Sequence, residues 1–131
     1  NKLDKIIKMR QKNALFLSNR LSKIPELTVP EPPPGFDHIY QMYTIRLKNK
    51  KIRDMLHEYL TKKRIFSKIY FSPIHLTKFY QNKYDLSKTL LPITEKISNE
   101  ILTIPLYPNM TNEEKSYLVE SIEEFFENFN E

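Results

Sequence analysis

The sequence predicts an α+β fold: a small antiparallel sheet of about three strands, covered by helices. Three observations carry this reading. Helical and strand periodicities follow one another in the order helix, strand, helix, strand, helix, strand, helix along 131 residues. Most connections between them are short, so neighbours in sequence are neighbours in space. Hydrophobic residues make up 40% of the chain, enough for one modest core, while the length is too small for two ordinary domains.

Each element has its own pattern. Residues 2–22 read as a helix, with Leu3, Ile7, Ala14, Leu17 and Leu21 on one apolar stripe and Arg10 at the skipped step of an otherwise basic rod. Such a helix needs a surface to lie on. Residues 25–36 hold Pro25, Pro30, Pro32, Pro33 and Pro34 and end at Gly35. Proline has no N–H for a helix or a ladder, so this segment reads as an extended connector. Residues 38–47 read as a strand with Ile39, Tyr43, Ile45 and Leu47 on one face and Gln41 interrupting. Residues 50–62 place Ile52, Met55, Leu56, Tyr59 and Leu60 at helical spacing. A short strand follows at about 65–71, then an irregular stretch over 72–92. Thr94 suits the N-cap of a short helix to about residue 101. Residues 102–107 read as a strand that Pro105 either confines to an edge or ends. Thr111 and Glu114 form a capping box for a last helix, which carries Leu118, Ile122, Phe125 and Phe129 on one face.

Composition excludes several classes of function. The chain has no cysteine, hence no disulfide, thiolate metal site or cysteine nucleophile, a pattern that fits the cytoplasm. His38, His57 and His75 lack the spacing of a zinc site. No apolar run approaches the roughly 20 residues of a membrane-spanning helix. Gly35 is the single glycine, so glycine-rich phosphate loops are absent. The chain opens on Asn1 inside a helical pattern, and we read it as a piece of a longer protein. Residues 1–83 hold 18 Lys/Arg and 6 Asp/Glu, a net +12, whereas residues 84–131 hold 3 and 10, a net −7. A basic half of this kind offers a second reading, a stand-alone module for nucleic acid or acidic protein. A solvated Lys-rich surface is the commoner cause, and nucleic acid is not the expected partner.

Three stretches together point to a family. LDKIIKMRQKNALFLSNRL, residues 3–21, has a Leu-Asp pair ahead of a basic run. HIYQMYTIRL, IRDMLHEYL and IYFSPIHLTKFY lie in order within residues 38–80, with an Arg-Asp-x-Leu helix and a Tyr-Phe-x-Pro-x-His-Leu turn. LPITEKISNEILTIPLYPNMTNEEKSYLVESI, residues 91–122, has a Leu-Pro-x-x-Glu block and a Pro-Leu-Tyr-Pro strand. In this order they resemble the C-terminal region of the DegT/DnrJ/EryC1/StrS family, pyridoxal-phosphate (PLP) enzymes that mostly aminate keto-sugars carried on nucleotides. The resemblance implies the C-terminal small domain of a fold-type I PLP transferase. Residues 1–24 would be the helix leaving a missing large domain, 25–37 the connector, and 38–131 the α+β body. The chain departs from the family at Lys63-Arg64, where a glycine is usual, and at Ser72, where proline is frequent.

The resemblance also sorts the chemistry. Transamination needs a lysine to hold PLP and an acid to pair with its pyridine nitrogen, and the family keeps both in the large domain. No residue here is therefore expected to be catalytic or to bind the cofactor, and the piece alone is expected to be inactive. A family member that dehydrates sugars differs at that upstream lysine, so this chain does not separate the two activities. The implied partners are the large domain, a nucleotide-sugar, an amino-acid donor and a second subunit in a homodimer, with no membrane. The loop around His75 borders the implied sugar cleft, which makes His75, Tyr80, Ser72 and Tyr70 the residues expected to line it. A local hydrogen bond is expected at His38 and a surface position at His57.

Overall fold

The computed structural model describes residues 2–129. Helix α1 (Lys2–Leu21) opens the chain, followed by β1 (Leu27–Thr28), β2 (Tyr43–Leu47), α2 (Lys50–Lys62), α3 (Lys78–Tyr84), α4 (Pro92–Glu100), β3 (Ile101–Ile104) and α5 (Asn112–Phe129). The sheet is antiparallel with strand order β1-β2-β3. The α+β class and the three strands are as the sequence predicts, but one strand is exchanged. The proline-rich connector supplies β1, since Leu27 and Val29 are buried and Leu27 pairs with Leu47. Residues 65–71, expected as a strand, make only one bridge, Lys68 to Thr103, with both N···O distances 2.8 Å.

The core lies between the sheet and the helices. Tyr43, Ile45 and Leu47 alternate inward along β2, while Leu102 and Ile104 do so along β3. Ile39 is half exposed, so the strand starts at Tyr43 and not at His38. Ala14, Leu17 and Leu21 bury the second half of the α1 stripe, while Leu3 stays exposed. Leu56 and Leu60 of α2 and Leu118, Val119 and Ile122 of α5 close the core. Each such aliphatic side chain contributes about 1.5–3 kcal/mol when fully buried. Phe125 is buried as expected, but the Phe129 side chain lies outside the described residues.

Helix ends follow the sequence in most cases. Asn49 accepts a hydrogen bond from Ile52 N at 3.0 Å and starts α2. Thr111 Oγ1 accepts from Glu114 N at 3.1 Å, and Glu114 Oε2 accepts from Thr111 N at 2.8 Å, which completes the capping box. Helix α4 starts earlier than expected. Its N-cap is Leu91 and Pro92 is its first residue, so Thr94 lies inside the helix. Helix α2 ends in a Schellman motif: Ile65 N donates to Leu60 O at 2.8 Å and Arg64 N to Thr61 O at 3.0 Å. Arg64 takes the left-handed position at φ 59°, where the family usually has glycine.

The two charge blocks meet in the fold. Arg20 of α1 pairs with Glu123 of α5 at 2.5 Å, and Lys63 pairs with Glu124 at 2.8 Å. Part of the basic half is therefore paired with the acidic helix at the surface. No helix among the described residues is long and apolar enough to cross a membrane.

Candidate functional site

The segment between α2 and α4 builds the site. After the Lys68 bridge the chain leaves the sheet, and the Tyr70 and Phe71 rings meet in a tilted contact, centroids 4.8 Å apart. Pro73 then starts a 3-10 turn, Ile74–Leu76, closed by Leu76 N to Pro73 O at 3.0 Å and by the Thr77 hydroxyl donating to Ile74 O at 2.8 Å. The stretch expected to be irregular thus contains α3 and two 3-10 turns, Ile74–Leu76 and Leu86–Lys88. Asp85 reverses the chain after α3 in the left-handed region, at φ 51°.

Between this segment and α4 runs a groove of about 720 Å³. Its walls are Phe71, Ile74, Leu91, Ile93 and Ile97, all substantially exposed, with His75 and Ser72 at the same surface. His75 is only 6% exposed, and its Nε2 lies 2.9 Å from Glu95 Oε1. The same oxygen accepts the backbone N–H of Leu91 at 3.1 Å. The hydrogen bond from His75, then that from Leu91, hold the Glu95 carboxyl below its ordinary range. Helix α4, which carries one wall, is anchored at its other end by Arg53. The buried Arg53 guanidinium donates to Ser98 O and Ile101 O, both at 3.3 Å, and its Nε contacts Asp54 Oδ1 at 2.6 Å. The Arg-Asp-x-Leu motif therefore supports the groove from behind.

The four expected site residues separate. His75 and Ser72 share the groove. Tyr70 lies elsewhere: the Lys68 bridge sets the alternation, so Phe66, Lys68 and Tyr70 line a different hollow, of about 310 Å³, beside Thr103. Tyr80 sits on α3, stacked on Tyr84 at 6.0 Å and edge-on to Phe79, and helix α3 has no buried residue. His38 accepts from Tyr40 N at 2.8 Å, the local bond expected of it. His57 is less exposed than expected, with Nδ1 2.8 Å from the buried Ser67 hydroxyl. Glu95 escaped the sequence reading as a site residue, although it is the Glu of the Leu-Pro-x-x-Glu block. Also missed were Asn13 and Lys115. Asn13 donates to Tyr107 O at 2.8 Å and accepts from Lys115 Nζ at 3.3 Å inside the α1–α5 contact.

A three-stranded α+β body with an open apolar groove and one buried histidine at its edge is the arrangement to compare with known proteins. A profile of the DegT/DnrJ/EryC1/StrS aminotransferase family matches residues 1–123, and the chain belongs to that family. The pleiotropic regulatory protein of Geobacillus stearothermophilus is 31% identical over 130 residues, 97% of this chain and 34% of that protein. GDP-perosamine synthase of Escherichia coli O157:H7 is 32% identical over 89 residues, 68% of this chain and 23% of the synthase. The crystal structure of the aminotransferase TlmJ from Streptoalloteichus hindustanus superposes with a TM-score of 0.89 at 21% identity, over 99% of this chain and 34% of that one. The chain thus spans about a third or less of the length of these relatives.

Proposed function

We propose that this chain is the C-terminal part of a PLP-dependent aminotransferase acting on a nucleotide-linked keto-sugar, and that it contributes one wall of the sugar cleft. The observation that carries the proposal is the groove itself. Two of the three motif segments, the Tyr-Phe-x-Pro-x-His-Leu turn and the Leu-Pro-x-x-Glu block, face each other across it. A mainly apolar wall with His75 and a few hydroxyl side chains, Ser72 among them, suits a sugar ring, which has an apolar face and hydroxyls at its rim. The relationship to a GDP-perosamine synthase supports a nucleotide-sugar as the substrate class.

The cofactor belongs elsewhere in this reading. PLP needs a lysine for its aldehyde and donors for its phosphate. None of the residues that line the groove is a lysine or an arginine. Lys115, the one buried lysine among the described residues, is engaged by Asn13 and lies over the Phe16 ring at 5.1 Å. These residues do not fit the cofactor, and its chemistry falls to the part of the parent that relatives carry outside the matched third. Residues 1–24 then act as the linking helix, 25–37 as the connector and 38–131 as the body.

Steady-state kinetics of the full-length parent test the proposal. His75→Ala should raise KM for the keto-sugar about tenfold, the loss of roughly one hydrogen bond, with the cofactor absorbance unchanged. An unchanged KM for the sugar would sink the cleft assignment. The 131-residue chain on its own should develop no aldimine absorbance beyond the band of free PLP when mixed with the cofactor.

A further inference from the structure

His75 and Glu95 belong to different motif segments, 20 residues apart, yet they share one short contact. The chemistry of that contact fixes where the proton lies. Glu95 Oε1 already accepts the Leu91 N–H, and an ionised carboxylate has no proton to give. The hydrogen between the two side chains therefore belongs to His75 Nε2. In the neutral imidazole only one nitrogen carries a proton, so Nδ1 keeps a free lone pair. Nδ1 has no hydrogen-bonding partner among the described residues, while the ring itself is almost fully buried at the edge of the groove. A buried ring with one satisfied and one open nitrogen is a directed acceptor.

We propose that Glu95 is a positioning residue that locks His75 as the Nε2–H tautomer and so presents Nδ1 to the groove as an acceptor for a ligand hydroxyl. The inference rests on the groove being the sugar-facing wall proposed above, and it assigns that wall a polarity. The wall accepts a hydrogen bond at His75 and supplies apolar contact at Phe71, Ile74, Ile93 and Ile97. Glu95 does this from a fixed place, because Pro92 and the Leu91 bond set the first turn of α4 and Arg53 holds the other end of the helix. The arrangement follows the pattern in which the partner of one imidazole nitrogen decides what the other can do.

Two-bond proton–nitrogen NMR of the 15N-labelled 131-residue chain reads the tautomer, at an alkaline pH where the spectrum itself shows the ring to be neutral. The wild-type chain should show His75 protonated on Nε2, with a ratio over the other tautomer of about tenfold or more, since hydrogen bonds to ionised groups are the stronger kind. Glu95→Ala should lower that ratio at least about fivefold, while Glu95→Gln, which keeps an acceptor for both donors, should retain most of it. A proton on Nδ1 in the wild-type chain overturns the proposal, whether or not the variants fold. So does a ratio that Glu95→Ala leaves unchanged. This outcome is separable from the cleft assignment: the NMR result stands if His75→Ala leaves the parent's sugar KM unchanged, and the kinetic result stands if the tautomer is insensitive to Glu95.

Discussion

Arg64 holds φ 59° at the end of α2 although it has a Cβ, and this conformation costs an L-residue roughly 1–2 kcal/mol. The Schellman bonds of Arg64 and Ile65, with Ile65 buried, offset that cost. Arg64→Gly should therefore raise stability by about 0.5–1 kcal/mol, part of the gain being returned to the more flexible unfolded chain. A higher urea midpoint at unchanged slope checks it. Tyr43 illustrates the opposite case, a polar atom placed in the core with a partner. Its hydroxyl meets Ser18 Oγ at 2.7 Å, and burial pushes its pKa up to about 12. A folded-state value above the unfolded one, here 10.0, means a contribution fully present below pH 10 that is lost as pH rises toward 12. Tyr43→Phe should cost about 1 kcal/mol at neutral pH and flatten the alkaline limb of the stability profile, both readable by denaturant titration at a series of pH values.

At the scale of elements, the capping box of α5 was legible because Thr-x-x-Glu states both donors and acceptors in four letters. Thr111→Ala should lower stability by about 1 kcal/mol. The hydrogen bond from Thr111 N–H holds the Glu114 carboxyl below its ordinary 4.5, so this support is present above pH 4.5 and fades as pH falls through the folded-state value. Glu114→Gln should weaken that acid dependence in a thermal melt series. Helices α1, α2 and α5 were equally readable, since their stripes repeat over several turns. The strands were less so. Leu27–Thr28 is two residues between prolines, too short for any alternation, and only its pairing with Leu47 and Arg46 makes it a strand. Residues 65–71 have strand-like letters, but only Lys68 reaches the sheet before the chain turns into the groove wall. Of the site, His75 and Ser72 were legible through one motif. The Glu95 contact was not, because two segments 20 residues apart meet only once α4 and the 3-10 turn are placed.

Considered whole, the molecule is uneven in its surface. Among the described residues eight large apolar side chains are more than 60% exposed, and six of them, Phe66, Phe71, Ile74, Phe79, Leu90 and Ile93, lie within residues 66–93. Exposed apolar side chains gathered in one segment suit a covered surface, and under the proposed function the parent's remaining part covers them. The 131-residue chain should accordingly brighten an apolar dye such as ANS in its native state, and Phe71→Ser with Ile93→Ser should reduce that signal without lowering secondary structure by circular dichroism. The sheet, by contrast, leaves almost nothing for another chain to copy. On the outer side of β3, Ile101 N is bound to Ile97 O, Ile101 O receives Arg53, Thr103 is paired in both directions with Lys68, and residue 105 is a proline. On the other side β1 is two residues long between Pro25 and Pro30. A sheet so small would ordinarily be open to edge-to-edge growth. Here the Lys68 bridge, all that the expected strand at 65–71 contributes to the sheet, works as a stopper: it uses up the last free ladder positions and then carries the chain away, so the sheet ends where the groove begins.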